Sequence, residues 1–156
     1  MAYLECKKEQ LPPGPWVDDI ASHPDAEYKF VVKGMMCTLR RMPGWNWNGY
    51  VQVPVGHRFA KKTYQQLEDM GVIHVHGGLT YGPGNGVFGF DTAHELEGDL
   101  VPALLVYQQD PQLGKLFEPM SSMFGGGTVI QHFWTFEEVQ REVQQLAEQL
   151  APRATN

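Results

Sequence analysis

The segment from Thr135 to Leu150 constrains the fold more than any other part of the chain. Thr135 followed three residues later by Glu138 is a capping box. The hydroxyl accepts the backbone N–H at the third helical position, and the carboxylate reaches back to the Thr135 amide. Phe136, Val139, Val143, Leu146 and Leu150 then recur at alternating steps of three and four. That spacing draws one apolar face along a helix of about four turns. A helix with a single apolar face has to bury it against another layer. Pro152 is expected to stop it, leaving residues 152–156 as a frayed tail.

The layer it covers is expected to be a sheet. Tyr28–Lys33 and Met35–Arg40 are rich in β-branched and aromatic residues and fit no helical period, so they read as two strands. Gly34 between them predicts a bend or bulge rather than a clean two-residue hairpin. An aromatic turn from Pro43 to Gly49 leads to a third strand, Tyr50–Val53, stopped by Pro54. Phe59–Met70 reads as a short helix with Tyr64 and Leu67 inward and Gly71 as its stop. Val72–Val75, Val87–Phe90 and Thr128–Trp134 read as further strands, with a glycine-rich hairpin at Tyr81–Gly86. Leu100–Gly127 reads mostly as loop with one or two short elements. Residues 1–25 are expected to be an irregular arm, with the stiff Leu11–Trp16 segment pinned by Trp16. The expectation is a single α+β domain over residues 26–151. Its mostly antiparallel sheet carries a short helix and a long C-terminal amphipathic helix packed on it.

At 156 residues, a domain buries roughly 70% of the surface its unfolded chain exposes, so it needs no disulfide or structural metal. The formal charge of −6 argues against a polynucleotide partner, which requires clustered Lys and Arg. The nearest thing to a basic cluster is Arg40-Arg41, with Lys61-Lys62 as a second pair, enough for a small anion. Cys6 and Cys37 are far apart without CxxC spacing and read as free thiols. The opening residues MAYLECKKEQ show no hydrophobic leader, and no apolar run approaches the roughly 20 residues that cross a bilayer. The expected location is the cytoplasm, that of the host cell if the protein is viral.

Candidate chemistry lies between His57 and Asp99. His74-Val75-His76 ends an expected strand, so its two imidazoles point to opposite faces. His76 runs into Gly77-Gly78-Leu79-Thr80, where missing side chains leave room for a ligand, and His74 is assigned to the sheet face. Asp91 falls at a strand end with His94 three residues on, a spacing that shares one face of a helical turn. Asp99 follows Gly98, which permits a reversal toward the same place. Imidazole and carboxylate together make either a divalent-metal site or an acid–base pair. His76, His94 and Asp91 are therefore the catalytic and metal-ligand candidates. His57, Gly77, Gly78, Thr80, Tyr81, Asp99, Trp45, Trp47 and Arg40 are the ligand-binding candidates. The plain structural reading of these residues is a hydrogen-bonded histidine, a helix cap and a set of turns, with the tryptophans closing the core. No HExxH, P-loop, GxSxG or repeated His-x-Thr/Ser pattern is present.

The blocks Gly49-Tyr50-Val51-x-Val53-Pro54-x-x-His57, His76-Gly77-Gly78-Leu79-Thr80-Tyr81 and Gly89-Phe90-Asp91-x-Ala93-His94, with Gly98-Asp99, resemble the motif series of a widespread family of small tailed-phage and prophage proteins. The resemblance covers residues 28–150. It departs at Thr92, where that family usually has Cys, and in an insert around Leu104–Phe124. It implies viral origin. By analogy with small phage proteins that counter host defence, it also implies a nucleotide second messenger as ligand. The expected function is hydrolysis of a small phosphorylated ligand, assisted by a divalent metal. A non-catalytic sponge for the same ligand is the alternative, stacking it on Trp45, Trp47 or Tyr81 with Arg40 and Arg41 on phosphate; it would be a homo-oligomer. A protein-interaction inhibitor is the third.

Overall fold

The computed structural model describes residues 5–109 and 131–151. Four strands follow one another in space as in sequence: β1 (Glu27–Val32), β2 (Met35–Arg41), β3 (Trp47–Gln52) and β4 (Val87–Asp91), all antiparallel. Alternation sets the faces. Met35, Cys37 and Leu39 of β2 and Trp47 and Val51 of β3 are buried on one side. The intervening residues point the other way, as the two-residue period of a strand dictates.

Helix α4 (Phe136–Leu150) lies across the buried face, chiefly on β3 and β2 and less on β1. The five residues of its expected apolar face are all buried, each stabilising the fold by about 1.5–3 kcal/mol. Its capping box forms as the sequence predicts, with the Glu138 amide donating to the Thr135 hydroxyl and the Thr135 amide donating to Glu138. Gly49 lets the helix sit close: a Cβ there would lie 2.4 Å from Val143 Cγ2. Among the described residues three more helices accompany it: α1 (Pro15–Ser22), α2 (Tyr64–Met70) and α3 (Pro102–Gln109). The α+β fold with its covering C-terminal helix is therefore as expected. No helix among the described residues is long and apolar enough to cross a membrane.

Several local expectations are corrected. The β1–β2 connection is a clean two-residue hairpin, Val32 facing Met35. Lys33 and Gly34 both take positive φ, 52° and 78°, the combination a type I′ turn requires, and its twist matches the strands. The sequence reading placed both demands on Gly34 and missed that Lys33 shares them. The third strand begins at Trp47 rather than Tyr50, and the helix after it starts at Tyr64, capped by Thr63. The N-terminal arm is not wholly irregular, because Pro15 opens α1 in the first turn, where a missing N–H costs nothing. Trp16 pins the proline segment by donating Nε1–H to the Pro12 carbonyl at 2.7 Å. Val72–Val75 forms no strand. Its backbone is held by α4 side chains: the His74 amide donates to Gln149 Oε1 at 2.6 Å, and Gln149 Nε2 donates to the His74 carbonyl at 2.8 Å. Residues 131–134 make only an isolated parallel bridge, Asp99 to His132. One short element expected within Leu100–Gly127 is a helix, Pro102–Gln109. The rest of the expected loop up to Gly127, the start of the expected strand at Thr128 and the tail 152–156 lie outside the described residues.

One buried carboxylate ties these parts together. Asp19 of α1 accepts the Trp47 indole N–H at 2.8 Å and the Phe136 amide at 2.9 Å, with Arg41 Nη1 3.7 Å away. Removing one partner from a buried charged set leaves the others uncompensated. Asp19→Ala should lower the unfolding free energy by about 3–5 kcal/mol, read from urea denaturation followed by tryptophan fluorescence.

Burial alone would push the Glu138 carboxyl up, but the Thr135 amide and His132, 2.7 Å away, outweigh it and hold it below the usual glutamate range. A depressed folded-state value gives stability that is full above the unfolded pKa of about 4.3 and is lost as pH falls through the folded one. Urea midpoints measured between pH 6 and 3 should therefore fall less steeply for Glu138→Gln than for the parent.

Candidate functional site

The site is built around Asp99, which is 2% exposed. Its Oδ1 accepts the Trp134 indole N–H at 3.0 Å and its Oδ2 accepts the His94 amide at 2.9 Å. His76 Nε2 lies 2.9 and 2.8 Å from the two carboxylate oxygens. A ring nitrogen facing two carboxylate oxygens carries the proton and donates it. The lone pair of His76 is thereby assigned to Nδ1, which has no hydrogen-bond partner among the described residues and is not sealed from solvent.

Local folding brings these groups in from three segments. After β4, Asp91 Oδ1 accepts the Ala93 amide at 3.0 Å and turns the chain into the short helical turn Glu95–Glu97. The chain then reverses so that the Asp99 amide donates to the His94 carbonyl, and residues 98–100 zip onto His132. His76 arrives from the segment lying along α4, its amide donating to Glu142 Oε1 at 2.8 Å. The Trp134 ring lies over the His76 imidazole, centroids 4.2 Å apart.

His94 completes the cluster. Its ring is 5.7 Å from that of His76, nearly perpendicular to it, and its Nε2 is 3.2 Å from Asp91 Oδ1. That nitrogen is buried and makes no well-aligned hydrogen bond among the described residues. It lies beneath Gly77, where a Cβ would come within 2.3 Å of it. Among the described residues no Lys or Arg pairs with Asp91, His76, His94 or Asp99. Glu95, in the adjoining turn, has its carboxyl pushed up by burial.

The structure thus brings together four of the sequence candidates, His76, Asp91, His94 and Asp99, with Gly77 behind them. It does not bring His57, whose Nε2 lies 2.6 Å from the Leu150 carbonyl while its Nδ1 accepts the Phe59 amide, so it closes the end of α4. Gly78 packs toward Glu68. Thr80 and Tyr81 bond to Gly89 of β4, and the Tyr81 ring meets Tyr50 instead. Trp47 is wholly buried in the core. Trp45 donates its indole N–H to the Cys6 carbonyl at 2.9 Å. Arg40 is held by Glu27 at 3.3 Å, and Arg41 is buried over the Trp47 ring. Trp47 and Arg41, two of the residues expected to grip a sponge's ligand, are therefore committed within the fold.

The metal set His76, Asp91 and His94 is also corrected. Their ligand atoms do not converge on one point. Among the described residues the group that does is Asp19, His23 and Glu137, with one ligand atom each within 4.8 Å of the others. That trio could hold an ion, although both Asp19 oxygens already accept protein donors and Arg41 supplies a positive charge beside them. Sequence reasoning passed over this trio, and over Trp134 and Glu142, because their partners lie dozens of residues away. Comparison with family models, with curated proteins and with solved structures finds no match.

Gly77 is the steric linchpin. Its φ of 67° disfavours any side chain and its Cβ position is taken by His94. Gly77→Ala should destabilise the fold by more than about 1 kcal/mol and displace the His94 imidazole signals in NMR spectra. Gly78→Ala, whose Cβ would meet only Glu68 at 3.4 Å, should leave those signals in place.

Proposed function

We propose that the chain is a hydrolase of a small phosphorylated ligand, with His76 as general base and His94 as proton donor. The observation that carries this reading is the buried Asp99 carboxylate. It fixes the tautomer and orientation of His76 and turns Nδ1 outward. An oriented imidazole with a free lone pair is what a general base needs. Nδ1 would take a proton from a water attacking phosphorus, and the new O–P bond would form as the opposite P–O bond breaks. His94, paired with Asp91, would return a proton to the departing oxygen. The Gly77 amide, for which no described residue serves as acceptor, would face a phosphoryl oxygen. Asp99 acts through His76 and is a positioning residue.

The donor geometry favours this acid–base route over an ion shared by His76, Asp91 and His94. It also favours turnover over the sponge, since Trp47 and Arg41 are engaged elsewhere. The phage resemblance of the HGGLTY and GFDxAH blocks supports a nucleotide second messenger as the phosphorylated ligand.

The test is incubation with a panel of cyclic and ADP-ribose-derived nucleotides, followed by chromatography. Consumption of one of them should fall by about 10²-fold or more in His76→Ala, with the circular dichroism spectrum unchanged. Asp99→Asn should slow turnover and reshape the pH dependence of kcat/KM, which a merely structural residue would not do. Full activity in His76→Ala, or recovery of the ligand intact after heat release, overturns the proposal.

A further inference from the structure

We propose that β1 is a self-pairing edge through which two copies of this chain join into one eight-stranded sheet. This goes beyond the hydrolase reading and does not depend on it. β1 has β2 on one side, and among the described residues no backbone group pairs with its other side. The two-residue hairpin decides which groups are free. In such a hairpin the closing pair, Val32 and Met35, exchanges both backbone bonds, and so does every second pair, Phe30–Cys37 and Tyr28–Leu39. The N–H and C=O groups of Glu27, Lys29 and Val31 therefore point outward.

The edge lacks most of the usual protection, its charged side chains being Glu27 and Lys29, which pair with each other. It has six residues, no proline and no bulge, and Val31 is 63% exposed. Such a row of unpaired groups is a template for another strand. Its buried-side residues also lack full cover: Tyr28, Phe30 and Val32 are only partly buried, because α4 lies mainly over β3 and β2.

The side chains select a second copy and a register. Antiparallel pairing about a two-fold axis matches residues on the same face. Centring the axis on Lys29 would set two ammonium groups opposite each other, a destabilising like-charge pair. Shifting it toward the strand's start sets Glu27 opposite Lys29 but throws the exposed apolar Val31 against the Asp25 carboxylate. Centring it on Phe30 sets Phe30 against Phe30, Tyr28 against Val32, Lys29 against Val31 and Glu27 against Lys33. That register joins the apolar inner faces and sets Glu27 opposite Lys33 of the adjoining turn at each end.

The full-length chain, examined by analytical ultracentrifugation from 1 to 300 µM, should reach twice the 17.6 kDa of one chain. Val31→Pro removes an outward N–H while leaving the β1–β2 ladder intact, so it should stay monomeric and folded by circular dichroism. In a Cys6→Ser, Cys37→Ala background, which removes the native thiols including the one that faces Phe30 across the β1–β2 ladder, Phe30→Cys should give a disulfide-linked dimer under mild oxidation, and Tyr28→Cys should not. A parent that is monomeric throughout, a Val31→Pro variant that still dimerises, or a monomer whose edge captures only extended peptides of other proteins would each overturn the pairing.

Discussion

The fold depends on one carboxylate, that of Asp19. A sheet with a helix on one face is held by non-directional burial, which fixes layers but not the entry point of the helix. Asp19 fixes that point, because it takes the Phe136 amide, one of the orphan donors at the start of α4. The same group takes the Trp47 indole N–H from the first residue of β3 and lies beside Arg41 at the end of β2. Arm, sheet and covering helix thus share a single buried charge. The arrangement also carries a cost. Burial pulls the Arg41 guanidinium down from its usual range while Asp19 pushes back, and its Nε and Nη1 have no hydrogen-bond partner among the described residues.

What the sequence made legible is what local patterns encode. The capping box and apolar stripe of α4 are properties of neighbours in the chain, and so are the β-branched runs of β1 and β2. The errors fall where a distant partner overrides the local pattern. Val72–Val75 has strand composition, yet the backbone of its His74 bonds to Gln149 of α4, and the His76 amide that follows bonds to Glu142. An amide side chain reading both groups of His74 imitates a neighbouring strand, and no spacing rule announces it. Lys33 at positive φ is a second case, since lysine is not among the residues that a type I′ turn favours.

The candidate site divides in the same way. The proximity of Asp91 and His94 follows from an i, i+3 spacing and was open to inspection. Asp99 meeting His76 needed the reversal at Gly98, which glycine permits but does not specify. Trp134 was invisible, because it reaches Asp99 only after residues 131–134 zip onto the loop that precedes α3. His57 shows the opposite failure. It shares sequence neighbourhood and strand-end context with His76, yet the last carbonyl of α4 claims it.

The two buried aspartates show why one reads as frame and the other as site. Each carboxylate accepts an indole N–H and a backbone amide, so their static hydrogen bonding is nearly equivalent. They differ in the third partner. For Asp19 it is a guanidinium, which stays protonated at any ordinary pH and simply compensates the charge. For Asp99 it is an imidazole, the one side chain whose unperturbed titration falls near neutrality, with its second nitrogen open to solvent. Releasing any of the partners of Asp19 would uncouple a layer. The same chemical group, buried to a similar degree, thus faces a permanent cation at one place and orients an imidazole at the other.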